Sequence, residues 1–274
     1  MRLPWALIAL AAALLALVAA YWFATGGMPP RGQMPGWLTR KPIAHRGLHS
    51  GDARRPENSI AAFRAAAEAG YPVELDVHLT ADGHVVVIHD DSLERMTGDP
   101  RRVEDARLEE IRRLRLLGTE ERLPTLGEAL AEIDGRVPVL VEIKNRGGAG
   151  RLEDAVTEEL DGYEGEAAVM SFNPFSLARV AERAPDLPRG QLSGTFAGED
   201  VAVHKRFVLR HLLTNWKGRP DFVAYELDGL PRLGVKLQRL RGRPVLAWTA
   251  EDPESFERAE ALADNVIFDP GALP

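Results

Sequence analysis

The sequence predicts an α/β protein, a closed (β/α)8 TIM-type barrel preceded by one N-terminal transmembrane helix. Three observations carry that expectation. Eight short apolar runs alternate with helical stretches from residue 42 onward, the pattern of a parallel sheet closed by crossover helices. Charged and imidazole side chains gather at the ends of several runs, where such barrels keep their chemistry. Residues 3–30 carry no charge at all, which sets them apart from the rest of the chain. At 274 residues the protein is long enough for one large domain, and a single barrel of that length is ordinary.

The first element is the uncharged run. Leu3 to Ala24 is nearly all Leu, Ala, Val, Ile and aromatics, bracketed by Trp5 and Tyr21-Trp22 as by membrane-interface residues. Twenty-two residues at 1.5 Å each give roughly 33 Å, enough to cross a bilayer core. A cleaved signal peptide is the alternative, with Val18-Ala19-Ala20 as a passable site. The run is longer than a usual signal core and has only Arg2 before it, so an uncleaved anchor is favoured. No polar face interrupts it, which argues against a buried core helix. The orientation rules oppose one another. Arg31, Arg40 and Lys41 after the span favour a cytoplasmic domain, whereas a short tail before a long domain favours the other side. The expected organisation is an anchor over 1–24, a Gly/Pro-rich linker over 25–37 and the barrel over 38–274.

The strand candidates are 42–47, 73–80, 137–145, 167–173, 189–194, 221–228, 244–250 and 265–269, with a ninth extended piece at 84–88 read as an excursion after the second. Helix starts are legible between them. Asn58 or Ser59 opens an alanine-rich helix that stops at Gly70, and Thr125-Leu-Gly-Glu128 is a capping-box pattern. Asp252-Pro253 places a cap before proline at the first helical position. Residues 101–117 carry Val103, Ala106, Ile111, Leu114 and Leu117 among charges and read as one amphipathic surface helix.

The chain is organised around residues 73–90. Glu74 and Asp76 stand two apart between Val73, Leu75 and Val77, so on a strand both acids share the face opposite the apolar set. His89-Asp90 follows shortly after. The first strand ends in His45-Arg46-Gly47, the third in Glu142-Ile143-Lys144 and a later one in Trp248-Thr249. Strand ends therefore gather two His, three acids, one Arg and one Lys. Carboxylates suit a hard divalent cation, Mg²⁺ or Ca²⁺, better than zinc. Arg and Lys beside it suit a phosphate, and two His can serve as general acid and general base. Together these read as metal-assisted cleavage of a phosphate ester. Glu74 and Asp76 paired with Arg46 and Lys144 in an inactive barrel is the bland alternative. Trp248 reads equally as packed wall or substrate contact. The net charge of −7 argues against a nucleic-acid partner. The absence of cysteine rules out disulfides, thiolate metal sites and a cysteine nucleophile.

At these residues the chain resembles the glycerophosphodiester phosphodiesterase family. The resemblance rests on His45-Arg46-Gly47, Pro56-Glu57-Asn58, Glu74-Leu75-Asp76-Val77, His89-Asp90 and Glu142-Ile143-Lys144, with softer matches at Ser171-Phe172, Trp248-Thr249 and Ile267-Phe268-Asp269. It spans about residues 38–272 in the right order. It implies one divalent cation held by Glu74, Asp76 and Glu142, with His45 and His89 as the acid–base pair. It also implies substrate contacts from Arg46 and Lys144, with Glu57 at the site edge and Trp248 a further candidate. Asn58 reads equally as structural, and His49, His78, His84, His204 and His211 as surface or supporting residues, His78 being nearest the acids. Ser59 stands where the family usually has Thr, and Phe268 where the last strand usually has Thr. The stretch between His89 and Glu142 is too short for the insertion of larger members. The implied reaction is hydrolysis of glycerophosphodiesters to glycerol 3-phosphate and an alcohol. A lysophospholipase D-like enzyme at the membrane and an inactive barrel binding phosphorylated ligands are the alternatives. A wide apolar mouth favours the first of these.

Overall fold

The computed structural model describes residues 5–26, 34–145, 147–198 and 201–273. Among them are nine strands: β1 (Ile43–Ala44), β2 (Val73–Leu79), β3 (Val85–Val87), β4 (Val139–Ile143), β5 (Ala167–Ser171), β6 (Arg189–Ser193), β7 (Phe222–Glu226), β8 (Val245–Ala250) and β9 (Asn265–Phe268). β1 pairs in parallel with both β9 and β2, and the other neighbours follow in chain order. That closes a barrel of eight parallel strands. The ninth piece, β3, runs antiparallel to β2 outside the ring, as the sequence suggested.

The helices are α1 (Trp5–Ala24), α2 (Ile60–Glu68), α3 (Glu94–Thr97), α4 (Leu108–Ile111), α5 (Leu126–Ile133), α6 (Arg151–Asp161), α7 (Pro174–Arg183), α8 (Val203–Arg210), α9 (Asn215–Gly218), α10 (Leu233–Leu240) and α11 (Pro253–Leu262). The expected caps form. Ser59 accepts from the Ala62 amide at 3.2 Å, Thr125 and Glu128 exchange bonds of 3.1 and 2.8 Å, and Asp252 accepts from Ser255 at 2.7 Å. Each satisfies helix-end donors that would otherwise be orphaned.

Two apolar cores follow from strand alternation. On β2 and β4 the residues Val73, Leu75, Val77, Val139, Val141 and Ile143 face outward and pack under the helices. Ile43, Leu140, Ala168, Leu192, Phe222 and Leu246 face into the barrel. A 3-10 turn (Gly36–Thr39) seals the base, where Trp37 and Leu38 join the interior cluster and Asn265 donates to the Leu38 carbonyl at 2.9 Å. Part of the expected linker is therefore barrel core. Thr25 and Gly26 are also packed against the barrel, and residues 27–33 lie outside the described residues.

One expectation fails. Residues 101–117 do not form a single helix but two 3-10 turns flanking the short α4, and Leu117 is exposed. The backbone there is committed elsewhere: Leu93 N–H donates to Arg101, Val103 N–H to Asp91 and Ala81 N–H to Ala106. A continuous helix would spend those groups internally. Val103, Ala106 and Ile111 instead close a satellite core with Val86, Ile88 and Met96.

Helix α1 is apolar throughout, with mean hydropathy 2.4 and none of its residues buried. Its 20 residues make it long enough to cross a membrane.

Candidate active site

The parallel register sets the acids side by side. Asp76 pairs with Glu142 across β2 and β4, and Glu74 lies one inward position before Asp76. Ligand oxygens of all three lie within 4.8 Å of one another, and all three residues are buried. Lys144 Nζ sits 3.0 Å from Asp76 Oδ1 and 2.8 Å from Glu142 Oε1. Both are close ion pairs, whereas Glu74 Oε1 has no hydrogen-bond partner among the described residues.

The electrostatics follow from crowding. Burial, then the charges of Asp76 and Glu142, raise the Glu74 carboxyl well above its ordinary value. Burial also leads in raising Glu142, to about 7, against the pull of Lys144. Burial acts the same way on Asp76, but Lys144, His89 and Arg46 outweigh it and hold that carboxyl far down. The cluster thus has more carboxylate than its cations neutralise. A buried oxygen without a donor, in a set of three hard oxygen ligands, suits a divalent cation.

Arg46 follows β1 in a left-handed conformation (φ 53°) that turns its amide onto Glu74 Oε2 at 2.9 Å. Gly47 must be glycine there, since a Cβ would lie 2.9 Å from the Ala62 backbone at a φ of 77°. The Arg46 guanidinium donates to Glu57 at 2.8 Å and lies 3.4 Å from Asp76. Asn58, also left-handed, donates to Asp76 Oδ2 at 2.9 Å, while neighbouring Ser59 caps α2. Asn58 therefore anchors an acid of the cluster and is not the helix cap.

Each of the two imidazoles is aimed by a carboxylate. His45 Nδ1 meets Asp269 at 2.7 Å, and His49 reaches the same oxygen at 3.4 Å. Burial raises the Asp269 carboxyl, but hydrogen bonds from His45 and His49 outweigh it and hold it far below its ordinary value. His89 Nδ1 meets Asp90 at 2.7 Å. Burial is the main cause pushing the His89 imidazole down to about 4. Arg95 then grips Asp90 at 2.6 Å and Glu57 at 2.7 Å, which links the two sides of the site through Glu57. His78 meets the His89 carbonyl at 3.2 Å and braces that turn.

His45, Arg46, Glu74, His89, Glu142, Lys144 and Trp248 line one cleft of about 1390 Å³ at the C-terminal ends of the strands. Asp76 lies beneath them. Glu57 does not line the cleft, because both its oxygens are occupied by Arg46 and Arg95. Trp248 stands edge-on to Phe172 at 5.6 Å, and Phe172 to Phe196 at 5.8 Å, forming an apolar wall. Sequence reasoning gave no part to Arg95 or to Asp269 as partner of His45. Asp269 closes a recognised motif and so had a signal. Arg95 had none.

Fold and site define a (β/α)8 barrel whose cleft has a buried cluster of three acids at its floor and two carboxylate-backed histidines on its wall. The comparisons place it more narrowly. Residues 45–270 match the model of the glycerophosphoryl diester phosphodiesterase family. The chain is 35% identical over 243 residues to a glycerophosphodiester phosphodiesterase of Caldanaerobacter subterraneus subsp. tengcongensis, covering 83% of this chain and 93% of that one. It is 34% identical to human glycerophosphodiester phosphodiesterase 1 over 261 residues, covering 83% and 77%. An Oleispira antarctica phosphodiesterase solved in complex with its product sn-glycerol-3-phosphate superposes with a TM-score of 0.69 at 28% identity, covering 86% and 95%. The chain belongs to the glycerophosphoryl diester phosphodiesterase family, and it is a phosphoric diester hydrolase.

Proposed function

We propose that the protein is a metal-dependent enzyme of glycerophospholipid breakdown that hydrolyses glycerophosphodiesters to glycerol 3-phosphate and an alcohol. The observation that carries this reading is the buried trio Glu74, Asp76 and Glu142 at the floor of one cleft that two carboxylate-backed histidines line. The three acids would hold one cation, Mg²⁺ or Ca²⁺, as oxygen ligands. When bound, that cation neutralises phosphate charge and polarises the P–O bonds.

The chain's own residues do the rest. Arg46 and Lys144 orient the phosphate, and Glu57 holds Arg46 in place from behind. One of His45 and His89 takes the proton from the glycerol hydroxyl adjacent to the ester, and that oxygen attacks phosphorus. The bond from phosphorus to the alcohol breaks as the other His gives the alcohol a proton. The resulting cyclic phosphate is opened by water with the two roles exchanged, which restores both protonation states. Asp269 and Asp90 accept the Nδ1 proton of each imidazole, so that Nε2 faces the substrate, bare on the His that acts as base and protonated on the one that acts as acid.

The aromatic wall of Phe172, Phe196 and Trp248 supports a second reading, in which the leaving or retained group carries an acyl chain, as in a lysophospholipase D-like enzyme. We also read α1 as a membrane anchor, supported by its length, its hydropathy and the absence of buried residues along it.

The test assays the full chain in detergent on glycerophosphocholine, glycerophosphoethanolamine and lysophosphatidylcholine, with and without chelator. Turnover of the glycerol diesters is expected, abolished by chelator and cut by about 10²–10⁴-fold in His45→Ala. Turnover of the lyso-lipid alone favours the second reading. No turnover with Mg²⁺, Ca²⁺ or Mn²⁺ supplied overturns both and leaves a phosphate-binding barrel.

A further inference from the structure

Helix α1 does not simply precede the barrel; its last turn is built into it. Tyr21 Oη lies over Gly234 in the first turn of α10, and Thr25 O accepts from Gln238 at 2.9 Å and Arg241 at 2.8 Å near that helix's end. The Arg241 guanidinium also stacks 3.8 Å above the Trp22 ring. Gly26 O then accepts from Arg243 at 2.6 Å, and Arg243 donates to Pro220 O at 2.9 Å, just before the starts of β8 and β7. Tyr21 lies by the first turn of α10, Thr25 by its last turn and Gly26 by Arg243 beyond it, with the long Arg241 side chain reaching back to Trp22, so the end of α1 runs from the start of α10 towards its end. In a (β/α)8 barrel the helices run antiparallel to the strands, from the cleft end to the base. The end of α1 therefore descends towards the base, and its exposed apolar length points back past the cleft end. From Trp5 to Tyr21 that length is about 24 Å at 1.5 Å per residue.

The cleft end has a matching surface on the same side. Phe175, Val203, Phe207 and Leu233 are exposed at 57, 81, 57 and 65%; Phe175, Val203 and Leu233 lie at the starts of α7, α8 and α10, and Phe207 one turn further along α8. Helix α8 crosses the cleft mouth, lining it with His204, Lys205 and Val208 while Val203 and Phe207 face away. Residues 201–220 hold Lys205, Arg210, Lys217 and Arg219 with no acid among them, Glu199 and Asp200 standing just before, in a chain whose net charge is −7. Exposed apolar residues flanked by local positive charge are what an anionic bilayer surface attracts.

We propose that the rim of the cleft formed by α8 and the starts of α7 and α10 is a bilayer-contacting surface. The docked end of α1 holds the active-site mouth towards the membrane. The inference rests on reading α1 as an anchor and is independent of the reaction catalysed. Phosphodiesters with an acyl chain would then enter from the bilayer surface without crossing bulk water.

The absence of native cysteine allows a single introduced one to be labelled uniquely. The full chain is reconstituted in vesicles of phosphatidylcholine with phosphatidylglycerol, with a fluorophore at Val203→Cys, Leu15→Cys or the exposed base residue Glu164→Cys. A nitroxide-bearing lipid is the quencher. The expected result is loss of most emission at 203 and 15 and none at 164, with the loss at 203 reduced by Phe207→Glu. Quenching at 15 but not 203, or at 164 in place of 203, overturns the mouth-facing arrangement and leaves the anchor standing. No quenching at 15 overturns the anchor and the proposal with it. The readout is optical, so it is unaffected by whether the phosphodiesterase reading holds.

Discussion

The imidazole of His45 is held at 2.7 Å by Asp269, a residue 224 positions further along the chain. That bond forms only because β1 lies beside β9 in the closed ring, so the first strand's end meets the last strand's end. A carboxylate behind an imidazole fixes its tautomer and ring orientation without touching substrate. We expect Asp269→Asn to lower kcat by about 10–100-fold with little change in KM, because ring orientation is lost while the cleft is kept. Steady-state kinetics on glycerophosphocholine check this. An equal loss through KM alone would place Asp269 in substrate binding instead.

At the scale of elements, the informative case is the 3-10 turn at 36–39. By composition it continues a Gly/Pro-rich linker, yet Trp37 and Leu38 plug the base of the barrel, with Leu38 fully buried. Truncating Leu38 to Ala removes methyl groups from a site walled by strand residues that cannot collapse inward. The expected cost is about 2–5 kcal/mol, read as a lower denaturant midpoint with unchanged slope. A cost within the surface range of about 0.5 kcal/mol would mean the turn is a detachable linker after all. The same scale explains the failed expectation at 101–117. Its apolar spacing suited a helix, but its backbone groups are claimed by β2–β3 and the turn after His89.

For the whole molecule, the site's acid network makes a statement about stability. Burial raises the Asp90 carboxyl, but bonds from Arg95 and His89 prevail and bring it from 3.8 to about 2. A carboxyl depressed in the folded state stabilises fully above its unfolded value and loses that contribution as pH falls towards the folded one. Asp269 acts in the same direction. Unfolding measured between about pH 5 and 2 should therefore show stability falling with acid, with a shallower fall in Asp90→Asn. An identical slope in the variant would show that Asp90 is not held down in the folded protein.

The sequence by itself determined the barrel class, the apolar N-terminal helix, the caps and the gathering of Glu74, Asp76, Glu142, His45, His89, Arg46 and Lys144. Each of these is written in a local period, a cap residue or a short motif, and a period of two already puts paired acids on one face. Tertiary structure alone decided that Arg95 joins Glu57 to Asp90, that Asp269 backs His45, that Asn58 serves Asp76, and that the end of α1 docks on the last turn of α10. These are contacts between residues far apart in sequence, and no local pattern encodes which distant partner a closed ring will bring within hydrogen-bonding reach.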